Sequence, residues 1–310
     1  MRGPRPIGAQ QDEWVDVYCA ITVSCMSEQA RVSKNHPESS AVILEGNAAL
    51  IIGHPGHELR IHHWLETARP LTFVLTDGSG RGQRSRLPST ARVLRKAGAK
   101  AAPIFGRWTD AQAYEILLSG NLGALTGITR ELSKALVENN TQAVVADAME
   151  GFNPTHDLCR YITNAAVLTA DRTSGRKTAN FDFVLVAPPD TVAVEIRDRC
   201  VRLQLDESAL TRKRIAAENY PELKEEIDAA ISKFGLEVFA TELLRPVAAN
   251  LSAGFDDQPF YETHGENRVK EGHYRRVIRY REHFRPLMEA LWRELDLPIP
   301  VELSRARSSD

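Results

Sequence analysis

At 310 residues, with 43% apolar and 26% charged side chains, the chain has a globular composition and can bury a sizeable core. Its 39 basic and 41 acidic residues leave a net charge of −2, which excludes the global positive field that collects nucleic acid or anionic membrane. The cysteines Cys19, Cys25, Cys159 and Cys200 contain no CxxC pair, which argues against a disulfide framework or a cysteine-based zinc knuckle and fits a cytoplasmic, reducing location.

The apolar run 14–26 holds Asp16, follows Asp12 and Glu13, and is too short to span a bilayer, so export is not expected. Residues 1–40 are expected to be an N-terminal extension, partly disordered, and Met26 is an alternative start, because no core pattern begins before about Ala41. Residues 41–310 are expected to form a single α/β domain, with a C-terminal lid or buttress from about residue 205.

In chain order, residues 48–52 form a short apolar run closed by Gly53-His54-Pro55, as in a buried parallel strand followed by a sharp turn. Ile61, Trp64, Leu65 and Ala68 then recur on one helical face that ends before Pro70, and residues 71–75 are the next strand. The loop 76–82 follows, with Arg81, Arg84 and Arg86 able to line a polar ligand pocket or simply to solvate a mobile loop. A helix near 90–97, a strand over 99–105, a helix over 128–138 and a buried strand over 142–146 continue the alternation. That rhythm predicts a Rossmann-like, doubly wound, mostly parallel sheet, in which ligands gather outside the C-terminal strand ends. Strands near 181–186, 192–197 and 201–205 and charged helices over 207–233 and 280–295 form a C-terminal β/α extension.

Outside the fourth strand the sequence reads Asp147-Ala148-Met149-Glu150-Gly151-Phe152-Asn153-Pro154-Thr155-His156, and a helix begins at about His156. His156 therefore falls on the same sheet edge as His54 and His57, which stand three residues apart around a turn fixed by Pro55. Three imidazoles with one open position are the donor set of catalytic zinc, which polarises a carbonyl and activates water. The competing reading is that these are surface or satisfied core histidines. The tract from Tyr261 to Glu266 is either a surface helix turn or a flap that brings His264 or Glu266 to the substrate.

The order of strand, HPxxE, helix, strand, TDG loop and a later Pro-x-His opening a helix resembles the PIG-L/LmbE-like zinc N-deacetylases, which remove acetyl groups from N-acetylglucosamine-type sugars. The resemblance runs in motif order from about Ala48 to Ala170, and more loosely over 200–220. It implies an LmbE-like fold, with Zn2+ held by His54, His57 and His156, His57 standing where the family has the second aspartate of HPDDE. Thr76-Asp77-Gly78 matches the family's TDG. Gly56 replaces the aspartate that serves as general base, and Asn153 replaces the first histidine of HPDH, which assists the transition state.

Asp77, Asp147 and Glu150 lie at or beyond strand ends and Glu58 adjoins the ligands, each a replacement base or a structural carboxylate; Asp77 and Glu150 are the leading pair, and Asn153 can donate to an oxyanion. The expected activity is zinc-dependent hydrolysis of a linear amide, N-deacetylation of an N-acetylated sugar or sugar-containing metabolite. Arg81, Arg84 and His264 are expected at the substrate. A small molecule is the expected partner, without nucleic acid or membrane, and with homo-oligomerisation open. A catalytically degenerate sugar or nucleotide binder is the alternative. A dinucleotide-binding Rossmann protein is disfavoured because no GxGxxG follows the first strand.

Overall fold

Runs of aliphatic residues that are apolar on both sides form strands where helices cover both faces. The computed structural model describes residues 43–44, 46–80, 84–247, 255 and 257–299. The expectations for residues 1–40, for a start at Met26 and for Arg81 lie outside them. The first strand, β1 (Ala48–Ile52), is buried along its whole length. A 3-10 turn (His57–Ile61) and α1 (His62–Ala68) lead to β2 (Leu71–Thr76), α2 (Leu87–Ala97) and β3 (Lys100–Trp108). Next come α3 (Asp110–Ser119), α4 (Leu122–Glu138), β4 (Ala143–Asp147), α5 (Pro154–Ser174) and β5 (Ala179–Phe183). The remainder is β6 (Val201–Gln204), α6 (Glu207–Glu218), α7 (Lys224–Phe234), β7 (Thr241–Pro246), α8 (Phe260–Lys270) and α9 (Arg285–Glu294).

Among the described residues, seven strands lie in the order β3-β2-β1-β4-β5-β7-β6. The first five pair in parallel, and β7 runs antiparallel to both β5 and β6. This is the expected doubly wound, mostly parallel sheet with a C-terminal β/α extension. The chain winds outward from β1 through β2 to β3 and then returns to place β4 on the other side of β1. The C-terminal ends of β1 and β4 therefore flank the switch point, where such sheets open a crevice.

Alternation along β1 divides the core. Ala49 and Ile51 face a cluster with Ile116 and Leu117 of α3, Leu132 of α4, Ile162 of α5 and Met288 and Trp292 of α9. Ala48, Leu50 and Ile52 face Trp64 and Leu65 of α1, Val93 and Leu94 of α2, and Tyr220. Each of the buried Val, Leu, Ile and Met side chains among them stabilises by about 1.5–3 kcal/mol relative to exposure. Trp64 also donates its indole N–H to the carbonyl of Ile43 at 3.0 Å, which satisfies its one polar atom.

Three expectations need correction. The strand expected over 192–197 is a 3-10 turn, Val194–Arg199, which pairs with no strand among the described residues and leaves Val194 71% exposed. The single charged helix over 207–233 is two helices, α6 and α7, broken around Pro221, which cannot continue a hydrogen-bonded turn. The elements α3 and β7 are additional; β7 is what joins β6 to the sheet. No helix among the described residues is long and apolar enough to cross a membrane.

Candidate active site at the switch point

The turn after β1 is built on two glycines. The Gly53 amide donates to Asp147 Oδ2 at 2.7 Å, which ties the end of β1 to the end of β4. A Cβ on Gly53 would lie 3.1 Å from both Asp147 Oδ2 and the Thr155 carbonyl. Gly56 has φ +108°, and its amide donates to Glu58 Oε2 at 2.7 Å. A Cβ on Gly56 would come within 2.3 Å of Leu223 Cδ1, so Leu223 fills the space a side chain at 56 would need.

This turn and the N-terminus of α5 bring the three histidines together. Their ring centroids are 5.3 Å (His54–His57), 5.2 Å (His54–His156) and 4.6 Å (His57–His156) apart. His54 Nδ1 lies 2.8 Å from Thr76 Oγ1 and 3.2 Å from Asp110 Oδ1. The Thr76 hydroxyl donates to the Gly53 carbonyl at 2.9 Å, so it accepts from His54, whose Nδ1 therefore carries a proton. His57 Nδ1 donates to Asp147 Oδ2 at 2.9 Å in the same way. Both rings thus turn a basic Nε2 away from these anchors, the relation in which a carboxylate orients a histidine toward a metal. His54 Nε2 and His156 Nδ1 are buried without a hydrogen-bond partner.

Burial pushes His57 well below its ordinary pKa, with the charges of His54 and Arg86 acting in the same direction. Burial likewise lowers His156 well below, assisted by His57 and His54. Both rings are therefore neutral near pH 7, the form that offers a lone pair. Burial raises Asp147 to about 6, against the pull of His156 and the Gly53 amide. Burial also acts to raise Asp110, but hydrogen bonding and charge from His54, with the bond from the Gly80 amide, hold it below the usual carboxylate value. The donor types suit zinc, and two of their buried atoms await a partner. As placed, however, no group of three His, Cys, Asp or Glu among the described residues is arranged to hold a metal ion.

The other sequence-derived candidates are dispersed around this cluster. Asp77 is half-buried, and its Oδ1 accepts from the Ser79 amide at 2.9 Å. Glu150 uses both carboxylate oxygens to accept from the amides of Leu185, Val186 and Ala187 at 2.7–3.2 Å, bracing the loop after β5. Asn153 is the N-cap of α5 and accepts from the Thr155 amide at 2.8 Å through Oδ1, which leaves its amide nitrogen as a donor. Arg84 is exposed, and His264 lies on α8, stacked 5.8 Å from Phe260.

Among the described residues, no hydrogen bond joins Asp77, Glu150 or Asn153 to the imidazoles. The described side chains hydrogen-bonded to them are Thr76, Asp110 and Asp147. Sequence reasoning passed over Asp110, although Thr109 and Gln112 make a capping box that marks a helix start at the end of β3. Arg86 anchors its Nε on the Gly78 carbonyl at 2.6 Å and places its charge near His57 and His156.

A scan against family models finds no match, and no curated protein matches. Among solved structures, the chain is similar to the A40926 pseudoaglycone deacetylase Dbv21, at 16% identity over 66% of this chain and 98% of that one, with a TM-score of 0.46. It is also similar to a deacetylase–bog complex from the biosynthesis pathway of teicoplanin, at 16% identity over 65% and 98% of the two chains, TM-score 0.44. A zinc-inhibited form of the teicoplanin deacetylase Orf2 overlaps at 14% identity over 65% and 98%, TM-score 0.39. At TM-scores below 0.5 the overlap is partial, and the functional reading rests on the residues at the switch point.

Proposed function

We propose that the chain is a zinc-dependent amide hydrolase that deacetylates an N-acetylated sugar or sugar-containing metabolite. The observation that carries this reading is the convergence of three imidazoles at the switch point, two of them neutral by burial and two held by oxygen acceptors on the ring nitrogen away from the centre. His54, His57 and His156 would hold the ion, and zinc supplies Lewis-acid activation of water and of the amide carbonyl. Asp147 and the Thr76–Asp110 pair keep the imidazoles in one tautomer. Asn153 Nδ2 offers a hydrogen bond to the developing oxyanion, a contact of the kind worth about 10²–10³ in rate. Of the two leading bases, Asp77 suits proton transfer better, because its Oδ2 is in no hydrogen bond among the described residues whereas both Glu150 oxygens are engaged. Arg81, Arg84 and His264 are the proposed substrate contacts.

Elemental analysis of the purified protein tests this reading. About one zinc per chain, absent from His57→Ala, together with acetate release from N-acetyl sugars that chelation abolishes, is the expected result. A metal-free protein that His57→Ala leaves unchanged overturns it.

One observation favours a second reading, a binder that has lost the reaction. Leu223 fills the space beside Gly56, where the resembling family has its base, so a carboxylate cannot be regained there without rearrangement. Thermal stabilisation by N-acetyl sugars without any acetate release supports this alternative, and chelator-sensitive release rejects it.

A further inference from the structure

We propose that the segment 184–187 after β5 is a splint that sets the spacing of His57 and His156, with Arg60 and Glu150 as the positioning residues that grip it from the two sides. The inference deepens the proposed function and rests on the three histidines being its reaction centre. In it Glu150 acts on backbone and not on a proton.

The three rings are not held alike. His54 and His57 are anchored through Nδ1 on Thr76, Asp110 and Asp147. The ring of His156 makes no hydrogen bond among the described residues, and its Nδ1 is buried without a partner. Its distance from His57, 4.6 Å between centroids, therefore follows the backbone at the start of α5 and not a bond of its own. That start is tied down by the next residue, because Asp157 Oδ1 accepts from the amides of Glu150 at 3.1 Å and Gly151 at 3.2 Å. The Glu150 carboxylate in turn accepts from the consecutive amides of Leu185, Val186 and Ala187.

The same segment is gripped from the His57 turn. Arg60, one 3-10 turn after His57, donates from Nε to the Val184 carbonyl at 3.3 Å and from Nη2 to the Ala187 carbonyl at 2.7 Å. Its guanidinium also lies over the Phe239 ring, 5.5 Å from the centroid. Sheet pairing brings the segment to this place: Asp147 of β4 is in register with Phe183 of β5, and the Ala148 amide donates to the Phe183 carbonyl at 3.0 Å. Glu150 thus takes the donors of the segment and Arg60 its acceptors. Hydrogen bonds run without a gap from the turn that carries His57, through 184–187, to the helix start that carries His156. Removing either grip leaves backbone groups of the segment without those partners and lets one imidazole shift against the other.

The test combines zinc affinity, read by chelator competition, with ring-to-ring contacts in NMR spectra of the metal-free, histidine-labelled chain. Glu150→Gln turns an NH2 group toward the amides of the segment, and Arg60→Lys replaces the two-pronged guanidinium by a single ammonium. Each is expected to weaken zinc binding about 10- to 100-fold and to weaken the His57–His156 contact while the His54–His57 contact remains. Because both act through one segment, the double variant should bind zinc no more than about twofold more weakly than the poorer single variant. Either single variant suffices if the other does not fold. A folded variant that keeps the His57–His156 contact, or additive losses in the double variant, overturns the splint. A wild-type chain that binds no zinc overturns the proposed function, and the ring contacts then decide the splint by themselves.

Discussion

Two buried polar clusters flank the segment 54–64, and they are finished differently. Lys213 Nζ donates to Glu242 Oε1 at 2.9 Å and to the Arg60 carbonyl at 2.7 Å, and Glu242 accepts from the amides of His63 and Trp64 at 2.9 and 2.8 Å. Each charge there has a counter-charge and further hydrogen bonds. In the histidine cluster, His54 Nε2, His156 Nδ1 and Asp147 Oδ1 are buried without partners. An unsatisfied buried polar atom costs about 1–3 kcal/mol, so the second cluster is stable only because the surrounding sheet holds it. A satisfied cluster supports the fold, while one with open valences is prepared for something from outside.

The largest expected effect falls on the satisfied cluster. Glu242→Ala would leave Lys213 an uncompensated buried charge and remove an acceptor from two amides, a loss of about 3–5 kcal/mol in denaturant unfolding, with metal content unchanged per folded chain. Gly56→Asp should cost about 2–4 kcal/mol from backbone strain and the clash with Leu223, and Leu223→Ala in the same chain should restore part of it. His57→Ala leaves the Asp147–Gly53 link in place, so the protein should lose only about 1 kcal/mol, while the zinc that the proposed function requires should be absent from it. Equal destabilisation by Glu242→Ala and His57→Ala would erase the distinction between the clusters.

The smallest effect is a slope. Burial raises Glu150 above its ordinary 4.5, against the backbone amides that pull it down. The folded chain therefore keeps that proton to higher pH than the unfolded chain. The resulting stability is complete below about pH 4.5 and is lost as pH rises through the folded pKa. In Glu150→Gln this part of the decline should be missing from unfolding curves measured between pH 4 and 7, whatever the absolute stability.

The parts of the fold that could be read from sequence are those with one dominant local signal. The continuous apolar runs of β1, β2 and β4 and the face of Ile61, Trp64 and Leu65 need no tertiary information. Val194 and Ile196 carry the same aliphatic signal, but Val194 is exposed and the segment pairs with no described strand, which is why a turn stands where the pattern predicts a strand. The strand β7 was hidden because Thr241–Pro246 is short, carries Glu242 and Arg245 and ends in proline, and its place in the sheet comes from its two antiparallel neighbours. At the site, the spacing around Pro55 and the rule of strand ends brought out the three histidines. The contact of Asp110 with His54 depends on where β3 ends relative to β1, and no local pattern encodes that. Glu150 looked available because sequence does not reveal that three amides of a distant loop converge on it.

Asp147 Oδ2 accepts from both the Gly53 amide and His57, across 94 and 90 positions of chain. Closing a loop of that length is slow relative to forming local helices, and β1 lies beside β4 only after the intervening β2–β3 half has wound outward and back. The imidazole of His57 therefore acquires its orientation at a late stage of assembly. A nascent or proteolysed chain ending before β4 could hold the complete HPGHE turn and still lack an ordered site. Competence of the first motif is in this sense a checkpoint on arrival of the second half of the sheet.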